Sequence, residues 1–156
     1  MDLLTIDSKI PELCLKDQDG NSHNLKDLCS NLTLLYFYPK ALTSGCTTEA
    51  CGIRDGMALL KEHKVTVFGI SPDSPKKLSE FIAKENLNFT LLSDEELLVS
   101  KAFGAYGPKS MYGRTYNGVY RVSFLVQNNK IIAQFPKVTP SEHLQMIIDY
   151  IEKNNL

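Results

Sequence analysis

The chain has 156 residues, 43% of them hydrophobic and 22% charged, with a net charge of -1. That length predicts one domain, residues 1–156, with a core needing no staples. The near-zero charge argues against a nucleic-acid or polybasic membrane surface, and no apolar run reaches the ~20 residues of a membrane span. The N-terminus lacks a basic region and a long apolar stretch, so it does not read as a secretory signal. Four cysteines, Cys14, Cys29, Cys46 and Cys51, are too few for a secreted disulfide scaffold. The expected compartment is the reducing cytoplasm, where a cysteine is more often buried, catalytic or metal-binding than permanently bridged.

Residues 12–16 alternate and lead into Asp17-Gln18-Asp19-Gly20-Asn21, the pattern of a short strand entering a turn. Residues 32–38 form a continuous apolar run around Thr33, the mark of a buried central strand, stopped by Pro39. After a loop over 39–45, Cys46, Ala50, Ile53, Met57 and Leu60 recur at steps of three and four and predict one helical face. Residues 65–70 are β-branched and aromatic and predict the next strand. Ser74-Pro75 opens a helix, with Leu78, Phe81 and Ile82 inward.

A brief strand is expected at Leu91-Leu92. Ser93-Asp94-Glu95-Glu96 then fits a capping box for a helix running to about Phe103. Residues 104–120 carry four glycines and four tyrosines without a period, a connection long enough to be functional or to hold small unseen elements. Residues 121–126 and 131–135 flank Gln127-Asn128-Asn129-Lys130 as a hairpin. Thr139-Pro140-Ser141-Glu142 fits another capping box, before a last helix with Leu144, Ile147, Ile148 and Ile151 inward. The early strand–helix–strand order implies a right-handed parallel unit, and the late hairpin implies antiparallel strands beside it. The predicted fold class is α/β, a thioredoxin-like fold with a mixed central β-sheet flanked by helices on both faces.

Cys46 sits where a loop hands over to a helix. Unsatisfied N–H groups and the positive end of the helix dipole favour a thiolate there. Thr43, three residues upstream, could bond that thiolate or a bound oxygen. Position alone leaves this reading level with a bland one, in which Thr43 is a cap and Cys46 a small buried hydrophobe. Cys51 changes the balance. In an ideal helix the Cα atoms of residues five apart lie roughly 9 Å from one another, beyond the ~7 Å limit for a disulfide. Any redox cycle using this pair must therefore unwind the first turns. Gly52 and Gly56 each weaken a helix by roughly 1 kcal/mol relative to alanine, which suits a helix that opens, although glycines also permit close packing. C-x-x-x-x-C lies outside zinc spacings. His23 and His143 read as ordinary surface residues.

The run Tyr36-Phe37-Tyr38-Pro39-Lys40-Ala41-Leu42-Thr43-Ser44-Gly45-Cys46-Thr47 closely resembles the active-site segment of peroxiredoxins, whose P-x-x-x-T-x-x-C motif is matched by Pro39, Thr43 and Cys46. Glu49-Ala50-Cys51-Gly52-Ile53-Arg54-Asp55 is similar to the bacterioferritin-comigratory, or Q-type, branch. Further matches are Phe68-Gly69-Ile70-Ser71-Pro72-Asp73, Asn88-Phe89-Thr90-Leu91-Leu92-Ser93-Asp94, Gly113-Arg114-Thr115-Tyr116 and Arg121-Val122-Ser123-Phe124-Leu125. The resemblance spans most of the chain, from about Ile10 to Ile151.

The resemblance implies a peroxidatic Cys46 and a resolving Cys51. Thr43 would bond the peroxide, Pro39 would shield the thiolate, Arg121 would hold it, and Glu49 would orient an arginine. It also implies a peroxide substrate, a thioredoxin or glutaredoxin-like reductant, and no metal, flavin or haem cofactor. A monomer is expected, since a resolving cysteine in the same chain removes the need for a dimer. Ser44 departs from the proline common in the family, so a slightly less rigid loop is expected. Cys14 and Cys29 match no family role.

Three other readings stay open at this point: a protein thiol–disulfide oxidoreductase, which would normally carry C-x-x-C; a peroxide-sensing thiol switch using the same disulfide; and a structural or binding module with inert cysteines. The tyrosine-bearing segment 104–120 is a candidate border of the peroxide pocket or of the reductant's docking surface. Its tyrosines could equally just cover a sheet edge.

Overall fold

The computed structural model describes residues 2–156. Strand β1 (Cys14–Asp17) pairs antiparallel with β2 (Ser22–Asn24) across the Asp17–Asn21 turn. A one-turn helix, α1 (Leu25–Leu28), follows, with the Asn24 side chain accepting from the Lys26 amide. β3 (Thr33–Phe37) is buried along its whole length, as its unbroken apolar run requires. β4 (Thr66–Ser71) and β5 (Thr90–Ser93) extend the sheet in parallel, while β8 (Val122–Gln127) and β9 (Lys130–Phe135) add antiparallel strands on the other side. The seven strands run β2-β1-β5-β4-β3-β8-β9. A separate two-stranded ribbon, β6 (Tyr106–Met111) and β7 (Arg114–Val119), occupies the segment that has no period in the sequence.

Successive residues of β3 feed opposite faces. Leu34, Tyr36 and Tyr38 join one core with Ala50, Ile53, Leu78, Phe81 and Ile147. These come from α2 (Ser44–Asp55), α4 (Pro75–Glu85) and α6 (His143–Lys153). Leu35 and Phe37 join the other core with Leu25, Val99 and Phe103, which belong to α1, to α5 (Leu98–Ala102) and to its cap. The sheet is thus mixed and covered by helices on both faces, a thioredoxin-like layout.

The expected single helix from Cys46 to Leu60 is broken. α2 ends at Gly56, and α3 (Met57–Glu62) restarts there. A Cβ on Gly56 would lie 2.2 Å from Leu144 Cδ2 of α6, so Gly56 serves close packing. A Cβ on Gly52 would meet nothing within 4 Å, so packing does not account for it. Neither capping box forms as expected. Ser93 ends β5, and it is Asp94 that accepts from the amides of Val99 and Ser100 at 3.1 and 2.7 Å. Thr139 makes no side-chain cap; a 3-10 turn (Pro140–Glu142) intervenes before α6. Among the described residues, no helix is long and apolar enough to cross a membrane.

Candidate active site

The site lies where β3 hands over to α2. The chain leaves the sheet at Pro39 and turns through Leu42, which adopts the left-handed conformation at φ 66°, sparsely populated for a non-glycine residue. Asp73, just beyond β4, pins this loop. Its Oδ2 accepts from the Ala41 amide at 2.7 Å and from the Ser71 hydroxyl at 2.8 Å. Thr43 is the N-cap position of α2. Its hydroxyl donates to the Lys40 carbonyl at 2.7 Å; it accepts from no helix amide and makes no bond to Cys46. Pro39 is half-buried at the loop's start.

Cys46 occupies the first turn of α2 and is 1% exposed. Sheet register brings Arg121 to it across 75 positions. Phe37 pairs with Val122, so the residue before β8 stands opposite the loop that follows β3. Arg121 Nη2 donates to Cys46 Sγ at 3.4 Å, and Nη1 donates to Glu49 Oε1 at 2.6 Å. Gly45 admits this approach, because a Cβ there would come within 3.2 Å of Nη2. Burial opposes the Arg121 charge, but the neighbouring Glu49 carboxylate and Cys46 sulfur outweigh it and hold the guanidinium above its ordinary pKa. The arrangement is a buried thiol with a fixed cation against its sulfur, at a helix start, the setting in which a thiolate is stabilised.

Cys51 lies on a different side of α2. Its thiol donates to Glu85 Oε2 of α4 at 3.5 Å. Burial first, and then this bond, push its pKa up. Both cysteines are free thiols. Around Cys51 the helix is tied to the end of α4 and to the segment after it: Arg54 Nη1 donates to the Glu85 carbonyl at 2.6 Å, and Asn88 Nδ2 donates to the Arg54 carbonyl at 3.2 Å.

His143 is not on the surface. It is 1% exposed, with Nε2 at 2.8 Å from Ser123 Oγ and Nδ1 at 3.1 Å from Glu49 Oε2. Neither His143 nor Ser123 stands out in the sequence. Their signal is a polar residue at an otherwise core-facing helix or strand position. Of the remaining cysteines, Cys14 is exposed, whereas Cys29 is wholly buried and burial pushes its thiol up to about 12.

The sheet order and the buried Cys46 at the start of α2 define a thioredoxin-like protein whose reacting group is a thiol. Residues 6–135 match the model of the AhpC/TSA family. The chain is 47% identical to a putative peroxiredoxin bcp of Haemophilus influenzae over 152 residues, covering 97% of this chain and 98% of that one. It is 48% identical to peroxiredoxin Bcp of Escherichia coli, covering 92% and 93%. Among solved structures, a PrxQ variant from Xylella fastidiosa superimposes with a TM-score of 0.92 at 25% identity, each chain fully covered. The bacterioferritin comigratory protein of Xanthomonas campestris, described with alkyl peroxide reduction activity, gives 0.88 at 25% identity over 97% of this chain and 100% of that one. This chain therefore belongs to the AhpC/TSA family and, within it, to the Bcp/PrxQ-type peroxiredoxins, the thiol peroxidases.

Proposed function

We propose that Cys46 is the peroxidatic cysteine and that H2O2 and alkyl hydroperoxides are its substrates. The observation that carries this reading is the Arg121 guanidinium held against Cys46 Sγ by the buried Glu49 carboxylate. The Cys46 thiolate attacks the terminal peroxide oxygen, the O–O bond breaks, and the sulfur becomes sulfenic acid. The remaining oxygen leaves as hydroxide or alkoxide and takes up a proton. Arg121 and the first amides of α2 stabilise the charge that develops on the oxygens. The Thr43 hydroxyl turns from Lys40 towards bound peroxide, and Pro39 limits water at the thiolate.

Cys51 then acts as the resolving cysteine. Its sulfur displaces the sulfenic hydroxyl, a disulfide forms and water leaves. With Cys46 buried and Cys51 facing α4, this step needs the first turns of α2 to unwind. A thioredoxin or glutaredoxin-like dithiol reduces the disulfide by exchange. All of this takes place within one domain, residues 1–156, acting as a monomer.

Peroxide consumption coupled to thioredoxin and its reductase tests the scheme. Cys46→Ser should abolish turnover. Cys51→Ser should form sulfenic acid without closing a disulfide. Full turnover by Cys46→Ser would overturn the assignment.

A further inference from the structure

We infer that His143 is a positioning residue for the peroxidase reaction, holding Glu49 so that Glu49 in turn aims Arg121 at Cys46. This inference rests on the reading of Cys46 and Arg121 given above and deepens it.

Glu49 has no exposed side-chain surface, and a buried carboxylate is tolerated only when its oxygens are matched. Oε1 is taken by Arg121. Oε2 has one polar neighbour, His143 Nδ1 at 3.1 Å, off the line of a well-aligned hydrogen bond. Neither atom has a hydrogen-bond partner among the described residues. Two buried polar atoms 3.1 Å apart and otherwise unpartnered act as a pair.

The ring is fixed on its remaining sides. Ser123 of β8 meets Nε2 at 2.8 Å. Tyr36 of β3 packs edge-on against the ring, with centroids 5.3 Å apart. If Ser123 donates to Nε2, the proton of a neutral imidazole sits on Nδ1, on the side of the ring that lies 3.1 Å from Glu49 Oε2. The groups facing the ring are thus Glu49 from α2, Ser123 from β8 and Tyr36 from β3, with Arg121 behind Glu49. Without Nδ1–H, the Glu49 carboxylate is free to rotate, and the 3.4 Å approach of Arg121 to sulfur is no longer imposed. An outer partner of this kind typically changes a site's performance by about tenfold or more.

The test is the rate at which reduced full-length protein loses its Cys46 thiol to H2O2, followed by acid quench and mass spectrometry. His143→Leu should slow this step by about tenfold. His143→Asn places an amide N–H near the Nδ1 position and should recover most of the loss. His143→Gln can reach Ser123 but not Glu49, so it should behave like His143→Leu; it also substitutes for that variant should leucine not fold. In a Glu49→Ala background, His143→Leu should add less than about twofold, because the two act in series. Equal losses with and without Glu49, or an unchanged rate in both His143→Leu and His143→Gln, would overturn the inference. Arg121→Gln is the control for the underlying reading. If Arg121→Gln reacts at full rate, that reading fails and takes this inference with it; if it is slow while the His143 variants are fast, only the inference fails.

Discussion

At the scale of single residues, Arg121 has to satisfy two partners at once. One terminal nitrogen meets Glu49 and the other meets Cys46. A lysine carries the same charge but offers a single point donor and cannot span both. Arg121→Lys is therefore expected to lower the rate of Cys46 oxidation by about a hundredfold, near the loss of one oxyanion donor. Stopped-flow competition with a haem peroxidase for H2O2 measures it, and a rate within a few-fold of wild type would show that charge alone suffices.

Cys51 makes the opposite demand, since it should stay a thiol until α2 opens. Burial and the Glu85 carboxylate raise its pKa, Asp55 adds to this, and Arg54 opposes it. A folded value above the unwound value of about 8.5 means the stabilisation of folded α2 is fully present below that pH. It is lost as the pH rises through the folded value. Opening of α2 should thus become easier in the alkaline range. Glu85→Gln should bring the deprotonation of Cys51 to lower pH, seen as faster alkylation near pH 8 in a Cys46→Ser protein. An alkylation profile that does not move would remove Glu85 from this role.

At the scale of elements, α2 is both loosened and tethered. Its two glycines look alike in the sequence, yet they have different surroundings. Gly52 has open space at Cβ, so Gly52→Ala adds helix propensity without a clash, stabilising α2 by about 1 kcal/mol. If closure passes through an unwound helix, disulfide formation after peroxide should slow about fivefold. Gly56 abuts Leu144. Gly56→Ala should instead force Leu144 to repack and destabilise the protein by about 1–3 kcal/mol, read as a lower urea midpoint. An unchanged closure rate in Gly52→Ala would argue that unwinding does not limit the step.

The same element shows what a sequence reveals. The β3 run was legible because burial on both faces leaves no polar residue to disguise it, and the P-x-x-x-T-x-x-C motif was legible because it is local. The need for glycine at the break, Gly56, is not legible, because what excludes a side chain there is Leu144, eighty-eight positions away. The ribbon β6–β7 is legible only as a long segment with room for small elements, because most of its residues are exposed or half-exposed, so no alternation marks it. The burial of His143 is not legible, because a polar residue near a helix start usually faces water. Its burial comes from Glu49 and Ser123, which only the tertiary fold brings to it.

At the scale of the whole molecule, the proposed Cys46–Cys51 disulfide requires one element to move while the rest stays in place. The sheet cannot take part. β3 is fully buried between β4 and β8, and losing it would expose both cores. α2 can, since its first turn rests on side-chain contacts to Arg121 and on a loop pinned through Asp73. The end of α2 near Cys51 is held by Arg54 to the last residue of α4 and by Asn88 to the segment that follows it. Unwinding should therefore run from Ser44 and stop near that tie.

Hydrogen exchange on the disulfide form makes this visible, because protection reports local opening free energy. Amides of the first turns of α2 should lose protection relative to the reduced protein. Those of β3, β4 and β8 should keep it, and those after Arg54 should change least. Arg54→Ala cuts the tie to the Glu85 carbonyl, so in that variant the loss of protection should spread towards Gly56. If protection instead falls across the sheet on oxidation, or stays unchanged in α2, the disulfide is reached by a different motion and the tethered-helix account is wrong.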